Sequence, residues 1–278
     1  MAYQAAIQRS DPAVLLFVID QSGSMAERMG TFEISKAQFL ADVMNKTLME
    51  IVTRCQKADG VRDYFHVGVI GYGADGPKNA LAGALGVQIL NPISAFEANP
   101  LRVDTRIKKV PDGAGGVYEQ QVQFPVWFEA QASGGTPMVA ALTKAGEELV
   151  QWCSTHPRSF PPTVLHITDG ESQGGNPEEV SQTLRQLGTD DGGVVLLNLH
   201  VSSQGAAPIL FPDGEQGLPD EFSELLFRMS SQLPPKMVEA AKEKRYKITD
   251  QSRGYIFNAE AGAIADFFDI GTRANQLR

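Results

Sequence analysis

Apolar positions along the chain fall into short dense runs separated by longer stretches with a helical stripe. The runs 13–19 (AVLLFVI), 64–72 (YFHVGVIGY), 163–168 (TVLHIT), 194–201 (VVLLNLHV) and 254–258 (GYIFN) are strand-length and rich in β-branched and aromatic residues. Three of them are apolar at both alternating positions, as strands covered on both faces must be. Between the runs, 32–55 places Phe39, Leu40, Val43, Met44, Leu48, Ile51, Val52 and Cys55 on one helical face. The stretch 136–152 reads as a helix started by Thr136 and Pro137, with Leu142, Ala145, Leu149 and Trp152 on its stripe. In 176–188, Asn176 is the expected N-cap, Pro177 the first helical residue and Gly188 the stop. A last helix is expected over 260–273 through Ile264, Phe267 and Phe268. Strands alternating with helices predict an α/β fold: a doubly wound, Rossmann-like, mostly parallel sheet with helices on both faces.

Two stretches interrupt the alternation within what reads as a single domain over 1–278, with its core at about 12–273. Residues 74–131 hold a proline-interrupted loop and then two strand patterns joined by the Gly-rich turn PDGAGG, a hairpin insertion expected at a sheet edge. Residues 202–252 hold a surface loop and two short helices separated by Pro234 and Pro235. The spacing GYGADG at 71–76 fits GxGxxG, but Pro77 and further glycines follow in place of a helix, so a loop after a strand is expected rather than a dinucleotide site.

Composition narrows the function. A chain that is 42% hydrophobic and 21% charged is an ordinary globular one, and its net charge of −9 disfavours nucleic acid and anionic membrane as partners. No apolar run approaches the ~20 residues that cross a bilayer. The first eleven residues lack the features of a signal peptide, which predicts a cytoplasmic protein. Cys55 and Cys153 form no CxxC pair and read as core thiols; His66, His156, His166 and His200 lack metal spacing and read as core histidines.

The chemistry gathers where two buried strands end. Asp20 closes VLLFVID and Asp169 closes TVLHITD, at the edge where an open parallel sheet binds ligands. If those strands are neighbours across the reversal of winding, the carboxylates converge and repel unless a proton or cation intervenes. Ser22 and Ser24 follow Asp20 two residues apart around Gly23, and SGGT brings Thr136 at the head of a helix. Carboxylates and hydroxyls without His or Cys select Mg²⁺, or Mn²⁺, over zinc or copper. Taken alone, Asp20, Ser22 and Ser24 also suit a turn with a serine cap.

The motifs DQSGSM, GGTPM and TDG, in that order, resemble the metal-ion-dependent adhesion site of the von Willebrand factor A (VWA) family, with all five positions filled. The resemblance implies that Asp20, Ser22, Ser24, Thr136 and Asp169 are the metal residues, and that a partner protein completes the metal shell with an Asp or Glu. It implies a Mg²⁺-dependent binding module, an adaptor or regulatory subunit, and no enzyme. GGTPM is similar to stand-alone bacterial members, often encoded beside ATPases, kinases or phosphatases, which makes such an operon neighbour the expected class of partner. Family members couple the metal site to a shift of the last helix, here 260–273. Two other readings stay open: a Mg²⁺-dependent phosphohydrolase with Asp20 as nucleophile, and a scaffold in which the ion only ties loops together.

Overall fold

The computed structural model describes residues 3–29, 33–111, 116–170, 172–202 and 207–272. Along the chain run β1 (Ala13–Asp20), α1 (Lys36–Cys55), β2 (Phe65–Gly73), β3 (Gly76–Asn79), α2 (Ile93–Ala98), β4 (Arg102–Pro111) and β5 (Val117–Val126). There follow α3 (Met138–Thr155), β6 (Thr163–Thr168), α4 (Pro177–Gln186), β7 (Val195–His200), β8 (Ile209–Leu210), α5 (Glu221–Met229), α6 (Pro235–Glu243), β9 (Tyr255–Phe257) and α7 (Ala261–Thr272).

The main sheet has the order β8-β9-β7-β6-β1-β2-β3, with Asn91–Pro92 also paired to β2. β1, β2, β6, β7 and β9 are parallel, and the edge strands β3 and β8 are antiparallel. The chain passes from β1 to β2 on one side and later returns with β6 on the other. The winding therefore reverses between β1 and β6, and a crevice opens at their carboxyl ends.

Every residue of β1 is buried. Leu15, Phe17 and Ile19 face a core shared with α1 and α7, where Phe17 meets Phe268 at 5.9 Å between ring centres. Val14, Leu16 and Val18 face the other core, with Leu142 and Leu149 of α3, Leu184 of α4 and Leu226 of α5. This two-sided burial is why the strand reads as an unbroken apolar run.

Helix starts follow local chemistry. Ser35 accepts from the Gln38 amide at the head of α1, Asn176 from Glu178 at α4 and Asp220 from Ser223 at α5. One sequence expectation changes here and two hold. Gly188 follows the helix as expected: α4 ends at Gln186 with Leu187 as C-cap, and Gly188 then opens a small hairpin with 192–193. Thr136 is not a cap: α3 begins at Met138, and Pro137 at φ −76, ψ 60 holds the cap position. GYGADG is, as expected, a loop after a strand: the turn of the β2–β3 hairpin, with Gly73 paired to Gly76.

The expected hairpin insertion is present as β4–β5, but the two strands pair only with each other and form a sheet of their own instead of extending the main one. Its root is fixed from within α1. Asn45 accepts from the amides of Trp127 and Phe128 and donates to the carbonyls of Ala41 and Phe128. The helices expected in 202–252 are α5 and α6, preceded by the edge strand β8, too short to signal itself in sequence. Lys244 pairs with Asp266 and Asp269 of α7, and Arg54 of α1 reaches Thr272 and Asp269. Phe32, the turn residues 112–115, the loop start 204–206 and Arg273 lie outside the described residues. Among the described residues no helix is long and apolar enough to cross a membrane.

Candidate metal centre

β1 pairs with β6 through Ile19 and Ile167, which brings Asp20 beside Thr168 and Asp169 at the crevice. Asp20 is 1% exposed. Its Oδ1 accepts from the Ser22 amide at 2.8 Å and its Oδ2 from the Thr168 hydroxyl at 2.9 Å. Burial pushes its pKa up to about 6, and the charge of nearby Asp169 adds to the rise; hydrogen bonds from Ser22 and Thr168 oppose it. The Ser22 and Ser24 hydroxyls meet at 3.0 Å in a short 3₁₀ turn, Gly23–Ala26.

Thr136 reaches the same crevice by backbone stitching. Ser133 donates to the Gln21 carbonyl at 2.7 Å, and Gly23 donates to Gly134 at 2.9 Å. Gly134 lies at φ +77 with the Ala74 backbone 2.3 Å from where a Cβ would stand, so no other residue fits. On the far side, Gln173 donates to the Thr136 carbonyl at 2.9 Å, and its side-chain oxygen accepts from the Thr136 amide. Thr136, itself 5% exposed, thus sits between the loop that carries Asp20 and the loop that carries Asp169.

Residues beyond the motif hold the acids in place. His200 must donate through Nε2, because its partner there is the Asp169 carbonyl at 3.0 Å; Nδ1 then accepts, facing Tyr255 and Ser223 hydroxyls. Burial lowers the basicity of His200. His166 is fixed by the same logic. Asn198 donates its amide to Leu226 and Ser230, so its Oδ1 accepts from His166 Nδ1–H at 2.7 Å, and Nε2 accepts from the Tyr72 hydroxyl at 2.7 Å. His200 thus lies against the crevice at Asp169, whereas His166 is the core histidine that the sequence suggested. Lys36, 2% exposed, lies 3.6 Å from Asp169 through its Nζ. Thr168, His200 and Lys36 had no sequence signal as site residues: a threonine in a strand and a lysine at a helix start are commonplace.

No cluster of three or more His, Cys, Asp or Glu side chains is placed to hold a metal among the described residues. Any ion here would have to be held by two carboxylates with hydroxyls, the oxygen-only set that a hard divalent cation takes. The donors fit such an ion: a buried carboxylate with a raised pKa beside a second one is a site whose charge a cation relieves.

Sheet order and helix layers are those of a Rossmann-like, VWA-type α/β fold. No family model matches the chain, and no curated protein matches it. Among solved structures, the PilB minor pilin from Streptococcus sanguinis is 12% identical, at a TM-score of 0.46, over 94% of this chain and 60% of its own. The pilus adhesin SpaC from Lactobacillus rhamnosus GG is 13% identical, at a TM-score of 0.45, over 93% of this chain and 30% of its own. The vWF domain of the type V pili tip protein Mfa5 from Porphyromonas gingivalis is 13% identical, at 0.31, over 58% of this chain and 38% of its own. This chain thus spans less than two thirds of each, and at these identities the likeness concerns fold alone. The cytoplasmic expectation does not stand, because an opening stretch without leader features fixes no location; the solved chains that match are themselves a minor pilin, a pilus adhesin and a pilus tip protein.

Proposed function

We propose that this chain is a protein-binding module, not an enzyme, whose crevice between β1 and β6 holds Mg²⁺ and receives a carboxylate from a partner protein. The observation that carries the reading is the convergence of Asp20, Ser22 and Ser24 with Asp169 at the reversal of winding, with the Thr136 loop stitched between them. Asp20, Ser22, Ser24, Thr136 and Asp169 are the residues assigned to the ion. A bound Mg²⁺ supplies a positive centre that keeps exchangeable positions, one of which an outside oxygen takes. The protein's own part is to hold donors rigidly. Thr168 and the Ser22 amide fix the two oxygens of Asp20, His200 fixes the Asp169 backbone, and the stitched loops leave little to reorganise on binding. The head of α3 follows Thr136 closely and favours a visiting anion.

The test is calorimetric titration with Mg²⁺, then capture of Asp- or Glu-containing peptides with Mg²⁺ or with chelator. Asp20→Ala and Thr136→Ala should each abolish Mg²⁺-dependent capture while the circular dichroism spectrum stays that of the parent. Undiminished capture by either variant, or capture in chelator, sinks the reading. Phosphate release that disappears in Asp20→Asn would replace it with the hydrolase.

A further inference from the structure

Lys36 opens α1, and its side chain is 3% exposed. A lysine is almost never fully buried without a partner. Its Nζ has two: Glu27 Oε2 at 2.9 Å and Asp169 Oδ2 at 3.6 Å. The partners differ in environment. The Glu27 side chain is 55% exposed and is solvated by water, whereas that of Asp169 is 9% exposed and faces Asp20 across the crevice. An ion pair serving only to hold the loop before α1 had no need to enter the crevice. The Lys36 amide already closes that loop onto the Glu27 carbonyl at 2.8 Å.

We propose that Lys36 is a tethered counter-cation of the crevice: it shares Asp169 with a divalent ion, holds down the site's affinity for that ion, and turns toward Glu27 when the ion is bound. The inference rests on the metal reading above and adds the regulation of that site. Its chemistry is charge balance. Two carboxylates facing each other attract any cation, and a fixed positive charge beside one of them is repelled by an incoming divalent ion across a few ångströms of poorly screened protein. Glu27 gives the ammonium an alternative anion without asking it to leave its buried stem. The pair therefore sets a threshold: the crevice stays partly neutralised when divalent ions are scarce.

Lys36→Met keeps an unbranched stem and helix propensity while removing the charge. Mn²⁺ binding, followed as loss of the free-ion electron paramagnetic resonance signal, should be about tenfold tighter in Lys36→Met than in the parent. Glu27→Gln should act in the opposite direction, by about threefold, because the ammonium is left with Asp169 alone. Lys36→Gln serves as a second neutral variant should Lys36→Met melt far below the parent. Equal or weaker Mn²⁺ binding by folded neutral variants, with the parent binding normally, overturns the inference and leaves the metal reading intact. No binding by the parent and no binding by the neutral variants overturns both. Binding by the neutral variants alone supports the counter-cation and overturns the metal reading for the natural chain.

Discussion

The crevice between β1 and β6 and the β4–β5 ribbon are both places where the chain leaves the core, and they are built on opposite terms. In the crevice, each loop completes its backbone hydrogen bonds with another loop: Ser133 with Gln21, Gly23 with Gly134, Gln173 with Thr136. In the ribbon, the long ladder from Arg102–Val126 to Pro111–Val117 satisfies the backbone internally, and Ile107 and Tyr118 stay 63% and 51% exposed. The charges follow suit. The crevice buries carboxylates that repel each other, whereas the ribbon pairs Arg102 with Asp104 and Glu129 and Arg106 with Asp42 at the surface. A loop satisfied by its neighbours fixes the position of each residue; a loop satisfied by itself tolerates change and answers to the body mainly at its root, with one surface ion pair, Arg106 to Asp42, beyond it.

The root is where the comparison can be broken most forcefully. Asn45 meets three backbone groups of Trp127 and Phe128 from inside α1, at 2.8 to 3.0 Å. Asn45→Leu would leave those amides buried and unpartnered, at a cost of about 3–4 kcal/mol. Urea denaturation should show that loss, and amide exchange at 127 and 128 should accelerate. A midpoint unchanged from the parent would mean that the ribbon is not anchored there.

Next in size is the charge held in the crevice. Asp20 has an ordinary value of 3.8 raised to about 6 by burial, so the stability it contributes is full below about 3.8 and lost as pH rises through 6. The size of that loss is about 3 kcal/mol. His166 works the other way over the same range: burial lowers it from 6.5 to about 4, so its contribution is full above 6.5 and lost as pH falls toward 4. The two trends overlap, and the parent alone will hide both. The readout is therefore the difference between Asp20→Asn and parent in chelator. The variant should gain on the parent by up to about 3 kcal/mol between pH 4 and pH 7, and Mg²⁺ should erase the gain by stabilising only the parent. A difference that is flat with pH would show that Asp20 is not a strained carboxylate.

These effects also mark what the sequence disclosed. Asp20 and Asp169 were legible because an acid at the end of a two-sided apolar run is costly, and the run itself placed each at a strand end. Their neighbourhood followed from the fold class, since the first strand of a doubly wound sheet borders the reversal. Thr168 and His200 were not legible as parts of the site, because their meaning comes from pairing across the sheet: Thr168 reaches Asp20 from 148 positions away. Lys36 was hidden for a similar reason, being an unremarkable helix residue until β6 brings Asp169 to it. Thr136 was misread as a cap because Thr-Pro is a common helix start; the stitched loop holds Pro137 in the cap position instead. The free-standing ribbon was legible as a hairpin but not as separate, since alternation shows that strands pair and not with which sheet.

On the outer face of the ribbon the energetic stakes are small. Ile107 lies opposite Gln121 with 63% of its surface in water, so truncation removes little buried area and opens no cavity. Ile107→Ser should change the unfolding free energy by less than about 0.5 kcal/mol and leave Mg²⁺ titration as in the parent. Adding Arg106→Ala takes away the Asp42 ion pair, whose side chains are 40% and 38% exposed, and the guanidinium stacked 3.6 Å from the centre of the Phe124 ring. A solvent-screened pair of this kind contributes roughly 0–1 kcal/mol, and the stacking about as much again. The double variant should therefore cost more than Ile107→Ser alone and less than Asn45→Leu, because Arg106 touches the body from outside whereas Asn45 holds the ribbon's root from within. If Ile107→Ser alone costs as much as the root variant, the ribbon is packed against something in solution, and its independence from the body is disproved.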